Sequence, residues 1–291
     1  MAIPAFRFAE IGGGKIRYVD AGHGPSVLLI HGSYGSWSHW TENVVPLSQR
    51  ARVIAPDLPG FGASMDAPVS ADLQYFARCL QALLSDLGVD EYCVCGYSFG
   101  GLIAAELARA NPGKVRAALL MSPPVLGTPH VVRELQGQIG RLALRGALKA
   151  SVQVMLEHIL LHRPHRRTAE AVSITIENLR RARFRARALQ DASSLSRLVE
   201  GISCPLSALL GERDPFYGGA VDVAVQALQA IKPGTSACIA RDAAHWVCYD
   251  DPEGANEAIL RMVADRDRLT SGAGLDGRRS VDELRGSNPV H

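Results

Sequence analysis

The pentapeptide Gly96-Tyr97-Ser98-Phe99-Gly100 constrains the fold of this chain more than any other segment. It follows a short apolar run typical of a buried strand, residues 92–95, and opens a run of helical character, residues 102–108. A serine on so sharp a turn from strand to helix has a strained backbone, and the flanking glycines leave room for it. The turn therefore predicts that the Ser98 hydroxyl is exposed above the carboxyl edge of a sheet.

Apolar, β-rich runs alternate with amphipathic runs along most of the sequence. The predicted strands are residues 15–20, 27–31, 52–56, 92–95, 117–121, 206–210 and 235–239, and the predicted helices are residues 40–47, 71–87, 99–110, 219–231 and 251–265. Continuous apolar strands separated by helices predict an α/β fold, in which helices cover both faces of a mostly parallel central sheet.

One long segment interrupts this alternation. Residues 125–200 contain no good strand, only helix-like sequence rich in Arg, Leu and Ala. The segment is too long for a plain loop and predicts a helical cap over the carboxyl edge of the sheet, where ligands bind in open α/β sheets. The core is then built from residues 1–124 and 201–268, and the Gly/Ser-rich tail, residues 269–291, is predicted to be disordered.

The bulk composition argues against several other classes of protein. The formal net charge of +2 is too small to indicate nucleic-acid or membrane binding. The first residues lack the layout of a signal peptide, and no apolar run is long enough to span a bilayer. Six cysteines without a C-x-x-C pair predict buried, reduced thiols. His158 and His162 are spaced as zinc ligands can be, but no H-E-x-x-H arrangement surrounds them, so no metal site is predicted. We expect a cytoplasmic protein, either monomeric or homodimeric.

A serine hydroxyl is a poor nucleophile near neutral pH, so Ser98 requires a base within hydrogen-bond distance. His245 follows the last predicted strand and precedes the final helix, which makes it the best candidate among nine histidines. Asp214, just after the strand at residues 206–210, is the acid predicted to fix the tautomer of that histidine. Glu212 and Asp242 are rival carboxylates, but Glu212 lies closer to the strand and Asp242 is too near the histidine in sequence. Ser98, Asp214 and His245 are therefore the predicted catalytic residues.

Two backbone N–H groups are expected to bind the negative charge that develops on a carbonyl oxygen attacked by Ser98. The first is the amide of Phe99, the residue after the nucleophile. The second is the amide of Ser33, on a loop that Gly32 allows to turn in closely. His31, in the same loop, is expected to brace the loop rather than to act as an acid or a base.

Three segments resemble the α/β-hydrolase superfamily: His31-Gly32-Ser33, residues 57–64 with the sequence Asp-Leu-Pro-Gly-Phe-Gly-Ala-Ser, and residues 96–101. The resemblance covers nearly the whole chain up to about residue 265. It implies a cofactor-free enzyme with the order Ser, Asp, His. Serine at the nucleophile position argues against the haloalkane dehalogenase and epoxide hydrolase branches, which carry Asp there. The implied function is hydrolysis of a small carboxylic ester or related acyl compound through an acyl-enzyme.

Three other functions stay open on the sequence. Trp246 and a cap arginine resemble the meta-cleavage-product hydrolases, which break a C–C bond in dienoic acids. That group typically has Asn where Tyr97 stands, and a Gly-Pro-Gly run that is absent from the loop at Ser33. The second is a non-catalytic ligand receptor on the hydrolase scaffold, and the third is a cofactor-free perhydrolase or haloperoxidase activity.

The predicted cap is basic, with 13 Lys/Arg against five Asp/Glu between residues 133 and 197. On a helix, Arg180, Arg183 and Arg187 would share one face. An arginine that points into the pocket could bind a substrate carboxylate through two hydrogen bonds. Arg183 and Arg187 are therefore predicted substrate contacts, together with Tyr34 and Trp246. The expected partner is a small molecule, anionic if one of these arginines contacts it.

Overall fold

The computed structural model describes residues 5–125, 129–189 and 192–266, apart from the side chains of residues 187, 188 and 192–194. The predicted tail, residues 269–291, lies outside the described residues. No helix in the described part of the chain combines the length and apolar character needed to cross a bilayer.

Eight strands form one sheet in the order β1-β2-β4-β3-β5-β6-β7-β8. They are β1 (Phe6–Ile11), β2 (Gly14–Ala21), β3 (Ser26–Ile30), β4 (Arg52–Pro56), β5 (Tyr92–Tyr97), β6 (Val115–Met121), β7 (Leu206–Gly211) and β8 (Ser236–Ala240). Strand β2 pairs antiparallel with β1 and β4, and the remaining pairs are parallel. The predicted, mostly parallel α/β sheet is confirmed.

Strand β1 is the one strand of this sheet that the hydrophobic pattern does not predict. Its burial is irregular, because Phe6 and Phe8 are exposed at the sheet edge whereas Ile11 is buried. A two-residue turn joins β1 to β2, with Gly12 at φ +59° and Gly13 at φ +84°. Two consecutive positive φ angles are typical of a tight hairpin and favour glycine at both positions. The two glycines of the turn therefore indicate the hairpin more clearly than the residues of β1 do.

Ten α-helices surround this sheet in the described part of the chain. They are α1 (Val44–Ser48), α2 (Leu73–Asp86), α3 (Phe99–Ala110), α4 (His130–Leu144), α5 (Leu148–Met155), α6 (Ala169–Arg181), α7 (Ala192–Glu200), α8 (Val221–Ile231), α9 (Val247–Asp250) and α10 (Pro252–Asp265). The helix predicted at residues 40–47 is two elements, a 3₁₀ turn at Trp37–Trp40 and the short α1.

The hydrophobic core lies on both faces of the sheet. Along β3, Leu28 and Ile30 pack with α2, α3 and α8, whereas Val27 and Leu29 pack with α1 and α10 on the opposite face. Side chains alternate between faces along a strand, so a strand covered on both sides must be apolar throughout. This explains why the central strands read as continuous apolar runs.

The segment between β6 and β7 is helical, as predicted, but its last helix lies in the core layer. Leu195 and Val199 of α7 are buried in the same cluster as α3 and α8. The expected common face of Arg180, Arg183 and Arg187 is wrong, because α6 ends at Arg181 and the next residue is extended.

All six cysteines are free. Five of them are buried, as the apolar sequence around them predicts. The exception is Cys238, which is exposed because it lies on β8, the edge strand of the sheet.

Candidate active site

Ser98 lies between the end of β5 and the start of α3, in the strained backbone that its flanking glycines predict. Its φ is +52° and its ψ is −116°, a region that non-glycine residues rarely adopt. A Cβ atom at Gly96 would lie 2.1 Å from the carbonyl oxygen of Gly100, and one at Gly100 would lie 2.3 Å from the carbonyl oxygen of Ile30. Glycine is therefore required on both sides of the turn.

A chain of hydrogen bonds joins Ser98 to His245 and Asp214. The distance from Ser98 Oγ to His245 Nε2 is 3.0 Å, and that from His245 Nδ1 to Asp214 Oδ2 is 2.7 Å. The Asp214 side chain is fully buried and its second oxygen accepts a 2.9 Å bond from the Phe216 amide. An ionised carboxylate only accepts hydrogen bonds, so Nδ1 must donate, which leaves Nε2 free to accept the serine proton.

The rival carboxylates lie away from this chain of hydrogen bonds. Glu212 accepts a bond from the amide of Asp242 at 3.1 Å and pairs with Arg241 at 3.4 Å. Asp242 is exposed and lies 3.6 Å from Arg213. Both carboxylates belong to a surface cluster of charges. Of the three candidates, Asp214 is the one that contacts His245.

Two aromatic rings enclose the imidazole of His245. The Phe216 ring lies with its centroid 4.5 Å from that of the imidazole, and the Tyr97 ring lies 5.3 Å away. Tyr97 is buried, and burial raises the pKa of its phenol well above the ordinary value. The phenol therefore stays neutral, and the two rings limit the rotation of His245.

The loop after β3 lies against Ser98. A Cβ atom at Gly32 would approach the Tyr97 ring to 3.0 Å and Ser98 Cβ to 3.2 Å. Ser33, half-buried, follows in this loop, and Phe99 is the first residue of α3, where backbone N–H groups point along the helix axis without intrahelical partners. The two segments predicted to supply backbone donors are therefore adjacent to the serine.

His31 braces this loop, as predicted. Its Nε2 accepts a 2.9 Å bond from the Leu58 amide, so its Nδ1 carries the proton and donates to the Gly32 carbonyl at 2.7 Å. Burial lowers the pKa of His31 to about 4. The ring is therefore neutral and connects the loop after β3 to the loop after β4.

His39 is a second contact of the loop, and it follows the loop closely in sequence. Its Nδ1 accepts a 3.3 Å bond from the Gly32 amide, and its ring packs on Tyr97 and Trp246. Burial lowers the pKa of His39 well below the ordinary value. The turn that carries Ser33 is thus held by one neutral histidine on each side of Gly32.

Asp57 opens the second motif and is the buried centre of the next loop. Its carboxylate accepts bonds from Arg17 Nε at 2.7 Å, the Trp37 amide at 2.9 Å and the Ala63 amide at 2.8 Å. A Cβ atom at Gly62 would lie 2.1 Å from Asp57 Oδ2. The glycines of this motif therefore serve a tight turn around a carboxylate.

The predicted substrate contacts occupy different environments. Trp246 is 1% exposed. It stacks on Tyr249 with ring centroids 4.3 Å apart and donates from Nε1 to the His39 carbonyl at 3.1 Å. Tyr34 is 45% exposed, with φ at +53°. The side chain of Arg187 lies outside the described residues. Of these three, Tyr34 is the one described as open to solvent.

Arg183 connects the cap to the loop after β4. Its guanidinium pairs with Asp66 and donates to the carbonyls of Gly62 at 3.1 Å and Ser64 at 2.5 Å. Its backbone amide also donates to the Gly60 carbonyl at 2.8 Å. The N–H groups of this guanidinium therefore donate to other groups of the protein.

Three more cap arginines are engaged in the same way. Arg163 donates to Asp251 and to the Arg241 carbonyl, both at 3.1 Å. Arg166 donates to the Tyr249 carbonyl at 2.7 Å and lies over the Tyr249 ring. Arg167 donates to the carbonyls of residues 161 and 162. These three arginines, like Arg183, are therefore engaged in contacts within the protein.

No group of three or more His, Cys, Asp or Glu residues is arranged to hold a metal ion in the described part of the chain.

Comparison with known proteins agrees with this fold. A family model for the alpha/beta hydrolase fold matches residues 25–146. The structure superposes on the enol-lactonase from Burkholderia xenovorans LB400 with a TM-score of 0.74 and 19% identity, over 89% of this chain and 100% of that one. The chain has the α/β-hydrolase fold. Naproxen esterase from Bacillus subtilis has the same fold, with a TM-score of 0.75 and 19% identity, over 88% of this chain and 90% of the esterase.

Curated relatives align with this chain to different extents. The dihydrolipoyllysine-residue acetyltransferase component of the acetoin cleaving system of Cupriavidus necator is 35% identical over 43% of this chain and 34% of its own length. The corresponding component of Pseudomonas putida is matched over 44% of its length. The chain therefore aligns with less than half of these relatives. The putative carbamate hydrolase RutD of Enterobacter cloacae is 26% identical over 82% of this chain and 91% of its own.

Proposed function

We propose that this α/β hydrolase is a serine hydrolase that cleaves small carboxylic esters or related acyl compounds. The observation that carries the proposal is the chain of hydrogen bonds from Ser98 through His245 to Asp214, with heavy-atom distances of 3.0 and 2.7 Å. A nucleophile, a base with a fixed tautomer and an orienting carboxylate are the three groups that acyl transfer to a serine requires.

In the acylation step, His245 Nε2 takes the proton of Ser98 as the oxygen attacks the carbonyl carbon of the ester. The carbonyl π electrons move to the oxygen, and the amides of Ser33 and Phe99 bind the resulting oxyanion. Asp214 stabilises the imidazolium that forms. When the tetrahedral intermediate collapses, the bond to the leaving group breaks and His245 returns the proton to the departing oxygen. The products are the free alcohol and an acyl-enzyme.

In the deacylation step, a water molecule takes the place of the alcohol. His245 removes a proton from that water, the hydroxide attacks the acyl carbon, and collapse releases the carboxylic acid and returns the proton to Ser98. Loss of one oxyanion donor typically lowers such rates by about 10² to 10³. Hydrogen bonds with His31 and His39 hold Gly32 in place, which supports a preorganised donor at Ser33.

Three of the similar proteins support an acyl substrate without identifying it. The fold neighbours include an enol-lactonase and a naproxen esterase, and one relative is a putative carbamate hydrolase. All three names describe cleavage at an acyl carbon. Because Arg183 is engaged with Asp66 and loop carbonyls, we further propose that the acyl group is uncharged.

Two matched p-nitrophenyl esters test this proposal, one neutral and one with a distal carboxylate. We expect the neutral ester to have the higher kcat/KM. A tenfold preference for the anionic ester, about 1.4 kcal/mol of transition-state binding, would contradict the uncharged acyl group and favour an acidic substrate such as a dienoic acid.

Three variants test the residues. Ser98→Ala and Asp214→Asn should lose nearly all turnover, whereas Glu212→Gln removes a nearby carboxylate that does not contact His245 and should keep the rate. Turnover in folded Ser98→Ala protein above a few per cent would refute the mechanism. A ligand recovered unhydrolysed from wild-type protein that shows no turnover would favour the receptor function.

A further inference from the structure

Asp250 is a buried acid that the proposed reaction does not use. It lies at the end of α9, five residues after His245, and its side chain has no exposed surface. An ionised carboxylate so placed needs hydrogen-bond donors for both oxygens, because burying an unsatisfied charge costs several kcal/mol.

Those donors come from two separate segments. Asp250 Oδ2 accepts from the amide of Ala244 at 2.8 Å and from the amide of His162 at 2.7 Å. Oδ1 accepts from the amide of Arg163 at 3.2 Å. Ala244 directly precedes His245, whereas His162 and Arg163 belong to the cap. One carboxylate therefore joins the backbone before the proposed base to the backbone of the cap.

The same two segments also form hydrogen bonds directly with each other. The amide of His245 donates to the Ile159 carbonyl at 3.3 Å, and the amide of Trp246 donates to the Leu160 carbonyl at 2.9 Å. Both carbonyls belong to a π-helical turn, Leu156–Leu160, a geometry that occurs often at functional sites. The backbone amides of residues 244–246 therefore all donate hydrogen bonds, one to Asp250 and two to cap carbonyls, and these bonds fix the position of the segment.

We propose that Asp250 is a positioning residue, which holds the backbone at Ala244 against the cap so that His245 Nε2 faces Ser98. This inference rests on the proposed serine-hydrolase function. A misplacement of reacting groups by about 1 Å can lower a rate by about 10². An asparagine at position 250 would put an N–H group opposite an amide N–H, which must shift one of the two segments.

The primary test compares Asp250→Asn with Asp251→Asn. Asp251 is the adjacent carboxylate and pairs with the Arg163 side chain, so the second variant makes the same chemical change without touching residues 244–246. Turnover of the neutral p-nitrophenyl ester is divided by the number of active sites, counted by labelling to completion with a fluorophosphonate, which reacts with the activated serine and does not deacylate. We expect Asp250→Asn to lower kcat per active site by about ten- to a hundredfold with a KM change below about threefold. Asp251→Asn should stay within about twofold of wild type.

A second pair of variants removes one donor without changing the acid. Arg163 has φ at −69°, which proline adopts. Arg163→Pro deletes the N–H that bonds Asp250, and Arg163→Ala is its reference because both lack the side chain. We expect Arg163→Pro to have a several-fold lower kcat per active site than Arg163→Ala. Asp250→Glu, which keeps a carboxylate, should recover part of the rate lost in Asp250→Asn.

A merely structural role predicts a different result. In that case Asp250→Asn lowers the melting temperature and the number of titratable sites, but each remaining site turns over at the wild-type rate, and the positioning role is refuted. Equal kcat per site in Arg163→Pro and Arg163→Ala refutes it as well. If wild-type protein does not turn over the ester, or Ser98→Ala keeps turnover, the proposed function itself has failed.

Discussion

The buried, neutral state of His31 predicts that folding stability depends on pH in a defined window. Burial lowers the pKa of His31 from 6.5 to about 4. The unfolded chain therefore binds a proton at pH values where the folded protein does not. Stability from this group is present above pH 6.5 and is lost as the pH falls towards 4, because protonation favours the unfolded state.

The size of the effect follows from the two pKa values. One pKa unit corresponds to about 1.4 kcal/mol, so the fall from 6.5 to about 4 is worth about 3 kcal/mol in total. Between pH 7 and pH 5, where fewer carboxylates titrate, linkage gives a loss of about 2 kcal/mol from His31 alone. His39, whose pKa burial also lowers, adds a loss of the same sign.

Denaturant unfolding at pH 7, 6 and 5 measures this loss. His31→Gln should be less stable than wild type at pH 7, because at least one of its two backbone hydrogen bonds is lost. Its free energy of unfolding should then fall by about 2 kcal/mol less than that of wild type on going to pH 5. His23→Gln, at an exposed histidine, is the matched control and should follow the wild-type curve.

Parallel pH dependence of wild type and His31→Gln would refute the reasoning. It would mean that the ring titrates alike in the folded and unfolded states. If His31→Gln does not fold, NMR titration of the His31 ring in wild-type protein measures the same quantity, and a midpoint near 6.5 would contradict the buried neutral state.

Three further predictions concern the scaffold. Gly100→Ala should abolish folding or lower the melting temperature steeply, because the new Cβ would lie 2.3 Å from a β3 carbonyl oxygen. In the same thermal scan Gly101→Ala should be tolerated, because its new Cβ would have a nearest contact of 3.4 Å. Asp57→Asn should lower the free energy of unfolding by about 3 kcal/mol. Its control, Glu91→Gln at an exposed ion pair, should cost about 0.5 kcal/mol. Equal losses in the two variants would contradict the role of the buried carboxylate. Arg183→Ala should speed proteolysis within the cap and should change KM alike for neutral and anionic esters. A rise in KM confined to the anionic ester would instead make Arg183 a substrate contact.

The fold, and the meeting of Ser98, His245 and Asp214, follow from local signals in the sequence. The strand, glycine and helix around Ser98 are contiguous, and Asp214 and His245 each follow a strand whose carboxyl end meets the same edge of the sheet. Sequence order and sheet geometry then bring the three residues together. The strand β1 escaped prediction because its edge position leaves Phe6 and Phe8 exposed and its apolar pattern irregular.

Contacts that depend on how the cap packs could not be predicted in this way. Arg183 lies beyond the end of α6, so helical spacing gave the wrong direction for its side chain. His39 supports Gly32 across a turn, and Asp250 contacts a cap segment almost ninety residues earlier in the chain. Sequence spacing does not encode these distances, because they are set by the docking of one folded segment on another.

Labelling of the nucleophile tests the central claim most directly. A fluorophosphonate reacts with an activated serine and does not deacylate, so the modified residue can be located by peptide mass mapping. We expect a single phosphonyl group on the peptide that contains Ser98, no labelling in Ser98→Ala, and greatly slowed labelling in His245→Gln. Labelling of a different residue, or ester turnover that continues in fully labelled protein, would contradict it.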